Sequence, residues 1–400
     1  MASAVRVDVN HEILVWARKT RGFELEEAAS RIGVAPERLA AWEDGRERPT
    51  ARQLRTIAKH YVRPICTFFL PQFPTGDEPG IKDFRRMHAA AVATDLSAEL
   101  AVEIRLARER RTEALELVRD AGIDVPTFAI AASLEEDREE LAARVRGALG
   151  VSLEEQASWA NQHEAFGAWR SALEARGVLV FQTGRSSQQF VEPSEARGFS
   201  ISGDELPVVV TNGRDAVTAR CFTLLHELTH LALRNAGLCD LHEFGTGSEF
   251  DRVEAFCNHV AGAILVPRGA LLQTSIVRDH GTSERWEDGE LAQIARRFWV
   301  SSEVALRRLL LTRRTTAEFY TAWRAEHDDR VLERPQPKGE VKLPMSTRVI
   351  RRNGRFFPRL VFGALREGRL SYHRASTYLG AGAHHLPAIE RAIFDHRGGS

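Results

Sequence analysis

Residues 219–233 read ARCFTLLHELTHLAL, and their centre, His226-Glu227-Leu228-Thr229-His230, is an HExxH. On a helix, positions four apart share a face, so both imidazoles can grip one ion while Glu227 stands beside it. Phe222 to Leu225 ahead and Leu231 to Leu233 behind are apolar enough to bury such a helix. A hydrolytic zinc site takes three protein ligands and leaves one position for water, so a third ligand is expected. Glu254, 24 residues after His230 in the next helical stretch, is the candidate. Asn258 lies one turn further on the same face and is expected to steady that carboxylate or the water beside it. Glu227 is then the expected general base. Two imidazoles, a carboxylate and water suit zinc, with manganese as the alternative. His242, His259 and Tyr320 are candidates for a second donor to the oxyanion, and His242 ranks first because it lies between the two ligand segments. Cys221 and Cys257 border the same segments and are expected to pack as small buried hydrophobes.

Outward from this helix, the period of the apolar residues changes. Residues 178–182 (VLVFQ), 198–202 (GFSIS) and 207–211 (PVVVT) are short β-branched runs that predict a small sheet. The run Val208 to Asn212 is weighed two ways, as an edge that accepts an extended peptide and as an ordinary core strand. Helical periodicity covers residues 96–120, 135–149, 164–176, 219–233 and 251–265. Residues 290–311 look like a further helix–turn–helix, with Val300, Ser301 and Ser302 at the turn. Its arginines, Arg296, Arg297, Arg307 and Arg308, are expected to be solvated. Four short helices are predicted at 11–19, 24–32, 36–43 and 51–61, with Pro36 at a first helical position and Gly45 just past the third helix. Pro64, Pro71, Pro74, Pro79 and Gly80 then mark a linker, as do residues 334–344. The last fifty residues predict a small helical unit without legible chemistry.

With 400 residues, 43% apolar and 28% charged, the chain has the length of about two to four folded units and a globular composition. Fifty-five basic and 55 acidic side chains balance, which argues against a polybasic nucleic-acid coat. No apolar run approaches the roughly 18 residues of a spanning helix, and the N-terminus lacks a signal-peptide core. The four cysteines form no CxxC. A cytoplasmic protein with no membrane partner is expected.

Taken together, several blocks resemble the ImmA/IrrE family of metallo-endopeptidases. They are Arg197-Gly198-Phe199-Ser200-Ile201, Pro207 to Asn212, Ala219 to His230, Glu254 to Ala261 and Leu265-Val266-Pro267. One departure is that Glu254 stands four residues ahead of Asn258, where many relatives carry glutamate and asparagine closer together. A second resemblance, to the Xre-type helix–turn–helix of phage repressors, rests on Ala28 to Val34, Leu39, Trp42 to Gly45, Pro49-Thr50 and Leu54. Fusion of the two modules is a known arrangement of the family. The resemblance implies a thermolysin-like (gluzincin-type) peptidase domain with His226, His230 and Glu254 on the metal and Glu227 as base. It also implies a protein substrate, an Xre-type repressor whose cleavage derepresses stress or mobile-element genes.

The resulting expectation is a mainly α chain with a small β-sheet (α+β). It divides into a helix–turn–helix domain (1–72), a linker and helical connector (73–160), a zinc metallopeptidase domain (161–333), and a linker with a small helical C-terminal unit (334–400). For DNA, the candidate contacts are Arg38 at the start of the reading helix and Arg46, Arg48 and Arg52 after it. Against them stand Glu24, Glu26 and Glu27, which repel phosphate, so docking to a repressor or a second copy of the chain is preferred to specific DNA reading. A non-proteolytic DNA-binding regulator and an antitoxin-like scaffold are the rival functions.

Overall fold

The computed structural model describes residues 5–73, 97–184, 190–235, 248–332 and 343–394. His242 therefore lies outside the described residues. The chain separates into two compact units, the first made of residues 1–81, 91–106 and 188–191 and the second of the remainder.

The first unit holds α1 (His11–Lys19), α2 (Leu25–Ile32), α3 (Pro36–Glu43), α4 (Ala51–Tyr61), a 3-10 turn at Ile65–Phe69 and the start of α5 (Ala98–Ala121). The local chemistry explains the boundaries. Asn10 caps α1 through the Glu12 amide, Thr50 and Gln53 form a capping box on α4, and Gly33 ends α2 in the left-handed conformation. Ile13, Leu14, Ala28, Ile32, Leu39, Trp42, Leu54 and Ile57 close one apolar core. Within it a bidentate ion pair ties α1 to α3: Arg18 donates from Nε and Nη2 to the Glu43 carboxylate, both at 2.9 Å.

The second unit contains α6 (Arg138–Leu149), α7 (Leu153–Ser158), α8 (Gln162–Glu174), β1 (Leu179–Gln182), β2 (Gly198–Ile201) and β3 (Val208–Thr211). There follow α9 (Val217–Asn235), α10 (Ser248–Leu265), α11 (Arg268–Leu272), α12 (Ser275–Asp279), α13 (Asp288–Phe298), α14 (Ser302–Leu311) and α15 (Ala317–Leu332). Four more helices complete it: α16 (Met345–Asn353), α17 (Phe356–Arg366), α18 (Tyr372–Leu379) and α19 (Leu386–Phe394). The architecture is mainly α with one three-stranded sheet.

Strand order is β1-β3-β2, with β1 parallel and β2 antiparallel to β3. This corrects the edge-strand option for Val208 to Asn212: β3 is central, hydrogen-bonded on both sides and buried, and has no free ladder to offer a peptide. Its continuous Val208-Val209-Val210 run is what burial on both faces requires. The outer edge of β1 is also spoken for, because Arg170 donates to the Val180 carbonyl. The turn between β2 and β3 is gripped by Arg111 of α5, which donates to the carbonyls of Glu205 (2.9 Å) and Leu206 (3.0 Å).

The C-terminal helices dock on this sheet through one buried ion pair. Arg170 of α8 donates from Nη1 to the carbonyls of Ile350 (3.0 Å) and Arg351 (2.8 Å), which end α16. Glu174, one turn along α8, accepts the amides of Arg355 (3.2 Å) and Phe356 (3.3 Å), which open α17. A single pair thus satisfies orphan carbonyls of one helix and orphan amides of the next. Gly354 between them has φ +70°, and a Cβ there would overlap the Glu174 carboxylate, so only glycine fits. Phe181 of β1 and Phe357 of α17 meet edge to face at 5.8 Å beside the pair.

Candidate metal centre

α9 is the innermost helix of its unit, packed against α8, α10, β2 and β3. Every residue from Cys221 to Leu233 is buried, which matches a helix apolar on nearly all sides. The few polar groups in it are therefore the informative ones. His226 and His230, one turn apart, bring their Nε2 atoms to 3.1 Å of each other. Glu254 of α10 reaches both, with Oε1 3.0 Å from His230 Nε2 and Oε2 3.5 Å from His226 Nε2. Burial opposes charge on Glu254, yet the two imidazoles outweigh it and hold its carboxyl well below the usual carboxylate range.

The donor set fits a metal ion. In a tetrahedral site with bonds of about 2.0–2.1 Å, ligand atoms stand about 3.3 Å apart. The two imidazole nitrogens, 3.1 Å apart, are close to that edge, and each has one oxygen of the Glu254 carboxylate at 3.0 or 3.5 Å. Among the described residues this is the one cluster of three or more metal-binding side chains. Glu227 is buried next to His226, and a Cβ added at Gly198 of β2 would lie 3.7 Å from its Cγ. The same Cβ would collide with Thr223 Cγ2 and with the Val210 carbonyl, so glycine at position 198 lets the sheet approach the helix face that carries Glu227.

α10 is fixed at its far end by Arg146 and Gln156, which the sequence did not single out, and by Arg308, which it assigned to solvent. The carbonyls of Ile264, Leu265 and Val266 accept from Arg146 Nη1 (2.8 Å), Gln156 Nε2 (3.0 Å) and Arg308 Nε (2.9 Å). Cationic groups at a helix C-terminus answer both its orphan carbonyls and its dipole. Arg308 is thus buried rather than solvated, and its other nitrogens form a fork on Glu139 at 2.7 and 2.9 Å. His259 Nε2 lies 2.9 Å from the same carboxylate, which removes His259 from the oxyanion candidates. Tyr320 is likewise engaged, donating to Glu303 at 3.3 Å. Asn258 is half-buried on α10 and makes no side-chain hydrogen bond to Glu254. Cys221 and Cys257 are buried in the core.

The Glu139 cluster has a pH signature. Burial works against the Glu139 anion, but hydrogen bonds from His259 and Arg308 win and lower its pKa to about 2. A carboxyl with a depressed folded-state pKa stabilises the fold above its unfolded value and loses that contribution as pH falls through the folded one. Glu139→Gln is therefore expected to cost about 1–2 kcal/mol at pH 7, discounted because the carboxylate is partly solvated. The gap from wild type should shrink between about pH 4.5 and pH 2. Urea unfolding at both ends of that window checks it, and a gap independent of pH would refute the assignment.

In the first unit, the arginines expected to meet DNA are mostly turned to carboxylates. Arg38 lies 3.9 Å from Glu47, Arg46 2.7 Å from Asp44 and Arg48 3.3 Å from Asp8. Arg46 and Arg48 sit in the turn before α4, not on it. Arg52 is exposed on α4 without an acidic partner among the described residues.

No curated protein matches the chain. Residues 14–65 match the helix–turn–helix family model, and residues 175–310 match that of peptidase M78, described as the IrrE N-terminal-like domain. The chain thus joins an N-terminal helix–turn–helix to an IrrE-type peptidase-like domain, as the motif blocks imply.

Proposed function

We infer that this protein is a metal-dependent endopeptidase that cleaves a partner transcriptional repressor in the cytoplasm, relieving control of stress or mobile-element genes. The observation that carries the inference is the convergence of His226, His230 and Glu254 with a buried carboxylate, Glu227, on the next residue of the same helix. His226, His230 and Glu254 would hold zinc, with manganese the alternative. When bound, such an ion supplies Lewis acidity toward water and toward the scissile carbonyl. Glu227 takes the proton of the attacking water on its carboxylate and delivers it to the departing amine. The buried walls of α9 keep bulk water from that carboxylate and strengthen its interactions. The working division remains 1–72, 73–160, 161–333 and 334–400, with the first segment docking the substrate or a second copy of the chain. Its self-paired arginines support docking over reading a DNA sequence.

The test is metal content by elemental analysis, with competition against a chelator, on wild type and Glu254→Ala. About one zinc per chain is expected in wild type. Loss of one of three ligands should weaken binding at least as much as loss of a supporting partner, which costs about 10–100-fold. A wild-type protein that takes up no ion when zinc is offered would overturn the reading.

A further inference from the structure

The chain is neutral as a whole, but its C-terminal helices are not. Residues 343–394 carry nine arginines and no lysine against two glutamates, Glu367 and Glu390, and no aspartate. The two glutamates are matched by neighbours, Glu390 by Arg366 at 2.6 Å and Glu367 by Arg369. Arg355 turns inward and caps α19, donating to the Ala392 carbonyl at 2.9 Å. Arg374 donates to Tyr378. Arg391 donates to the Pro387 carbonyl at 3.4 Å, and Arg352 packs beside Gly380. Arg348 and Arg351 on α16 and Arg359 on α17 remain, all exposed, with Arg359 lying in the field of the buried Glu174 carboxylate. α16 buries Val349 and Asn353 against its neighbours, so Arg348 and Arg351 share its opposite, outer face.

Arg220 of α9 lies within electrostatic reach of Arg351 on this face. His163, in the first turn of α8, is held below the usual imidazole range by burial first, then by Arg351 and Arg220. Arg355 is lowered by burial and then by Arg359. Arg351, Arg220 and His163 thus share one local field, as do Arg355 and Arg359. Glu174 is buried, bound to Arg170 and two amides, and Arg359 acts on it at longer range.

We propose that the outer face of α16 and the first turn of α17, through Arg348, Arg351 and Arg359, binds the phosphate backbone of duplex DNA without reading its sequence. The absence of an apolar centre argues for a phosphate backbone over a protein or a membrane. Protein interfaces close around aromatic and aliphatic anchors, and interfacial membrane binding needs an apolar face. Among the described residues of 343–394 the exposed large hydrophobics are Tyr372 on α18 and Phe394 on α19, not on this face. Of the phosphate polymers, duplex DNA is favoured because the same chain carries a helix–turn–helix module whose own arginines are paired with carboxylates, which leaves the grip on phosphate to another surface. The two surfaces then divide the work, the charged one holding the protein on DNA where repressors sit.

The experiment is fluorescence anisotropy of the full chain with a labelled 30-base-pair duplex of arbitrary sequence over a salt series of about 50–200 mM. Arg348→Ala, Arg351→Ala and Arg359→Ala are combined in one variant, and Arg38→Ala, Arg46→Ala and Arg48→Ala in another. All six side chains are exposed, and circular dichroism verifies folding. Each lost phosphate contact should reduce the slope of log K against log salt by about 0.9, so the first variant should lose about 2–3 from it and bind at least 10-fold more weakly at low salt. The second variant should lose much less. Equal affinity of the first variant and wild type, or a loss confined to the second, would overturn the proposal. So would tighter, equally arginine-dependent binding to phosphatidylserine vesicles, or displacement of DNA by polyglutamate at equal charge. Glu227→Gln should bind DNA as wild type does, so this result is independent of whether the protein cuts peptides.

Discussion

Glu227→Gln is expected to lower peptide-bond cleavage by about 10²–10⁴-fold while metal content and thermal stability stay at wild-type values, the range a positioned general base supplies. The substitution keeps the shape of a side chain that is buried beside His226, so packing is preserved and what disappears is a proton acceptor. Because no substrate need be known in advance, the measurement is terminal-amine labelling of a lysate of the source cells. New N-termini should appear with wild-type enzyme and not with the variant. If the variant generates the same termini at the wild-type rate, Glu227 is not the base. Were neither protein to generate any, while the wild type holds zinc tightly through Glu254, the metal would be structural. The scaffold reading would then lead. The Gln variant separates these outcomes better than Ala, which would leave a cavity under Gly198 and mix a packing defect into the rate.

Much of the candidate site was legible because it follows helical spacing. His226, Glu227 and His230 are placed by a four-residue period, and Glu254 by the need for a third donor on the next helix. The N-terminal helices were equally legible, since Asn10, Gly33, Pro36 and Thr50 are local signals that act within a turn of where they stand. What escaped is what depends on partners far along the chain. Arg308 meets Glu139 across 169 residues, and Arg146 meets the Ile264 carbonyl across 118. Nothing about the sequence neighbours of Arg308 distinguishes it from the half-buried Arg307 next to it. The strand order β1-β3-β2 was hidden for the same reason: three short apolar runs do not say which one lies between the others. The short helices α7, α11 and α12 are too brief for periodicity to register.

The C-terminal unit is the largest case of long-range chemistry, and it leads to the biggest expected stability effect. Glu174→Ala should destabilise the second unit by about 3–5 kcal/mol, because it strands a fully buried guanidinium and two helix-opening amides together. Urea unfolding followed by tryptophan fluorescence, from Trp159 and Trp169 near α8 among others, would report it. Removing both charges at once, as Arg170→Met with Glu174→Leu, should cost less than the two single changes added, since neither partner is then left buried alone. The ion pair sits where α8, β1, α16 and α17 meet. A defect there should therefore move the unfolding of the peptidase-like core and of the C-terminal helices as one transition. Two separate transitions, with the core unchanged in Glu174→Ala, would instead mean that residues 343–394 are an appendage that folds by itself. The balance favours one transition for a structural reason. Arg170 closes the outer edge of β1 and Phe357 covers Phe181 of that strand, so the core without its C-terminal helices would expose both a sheet edge and an aromatic surface to water.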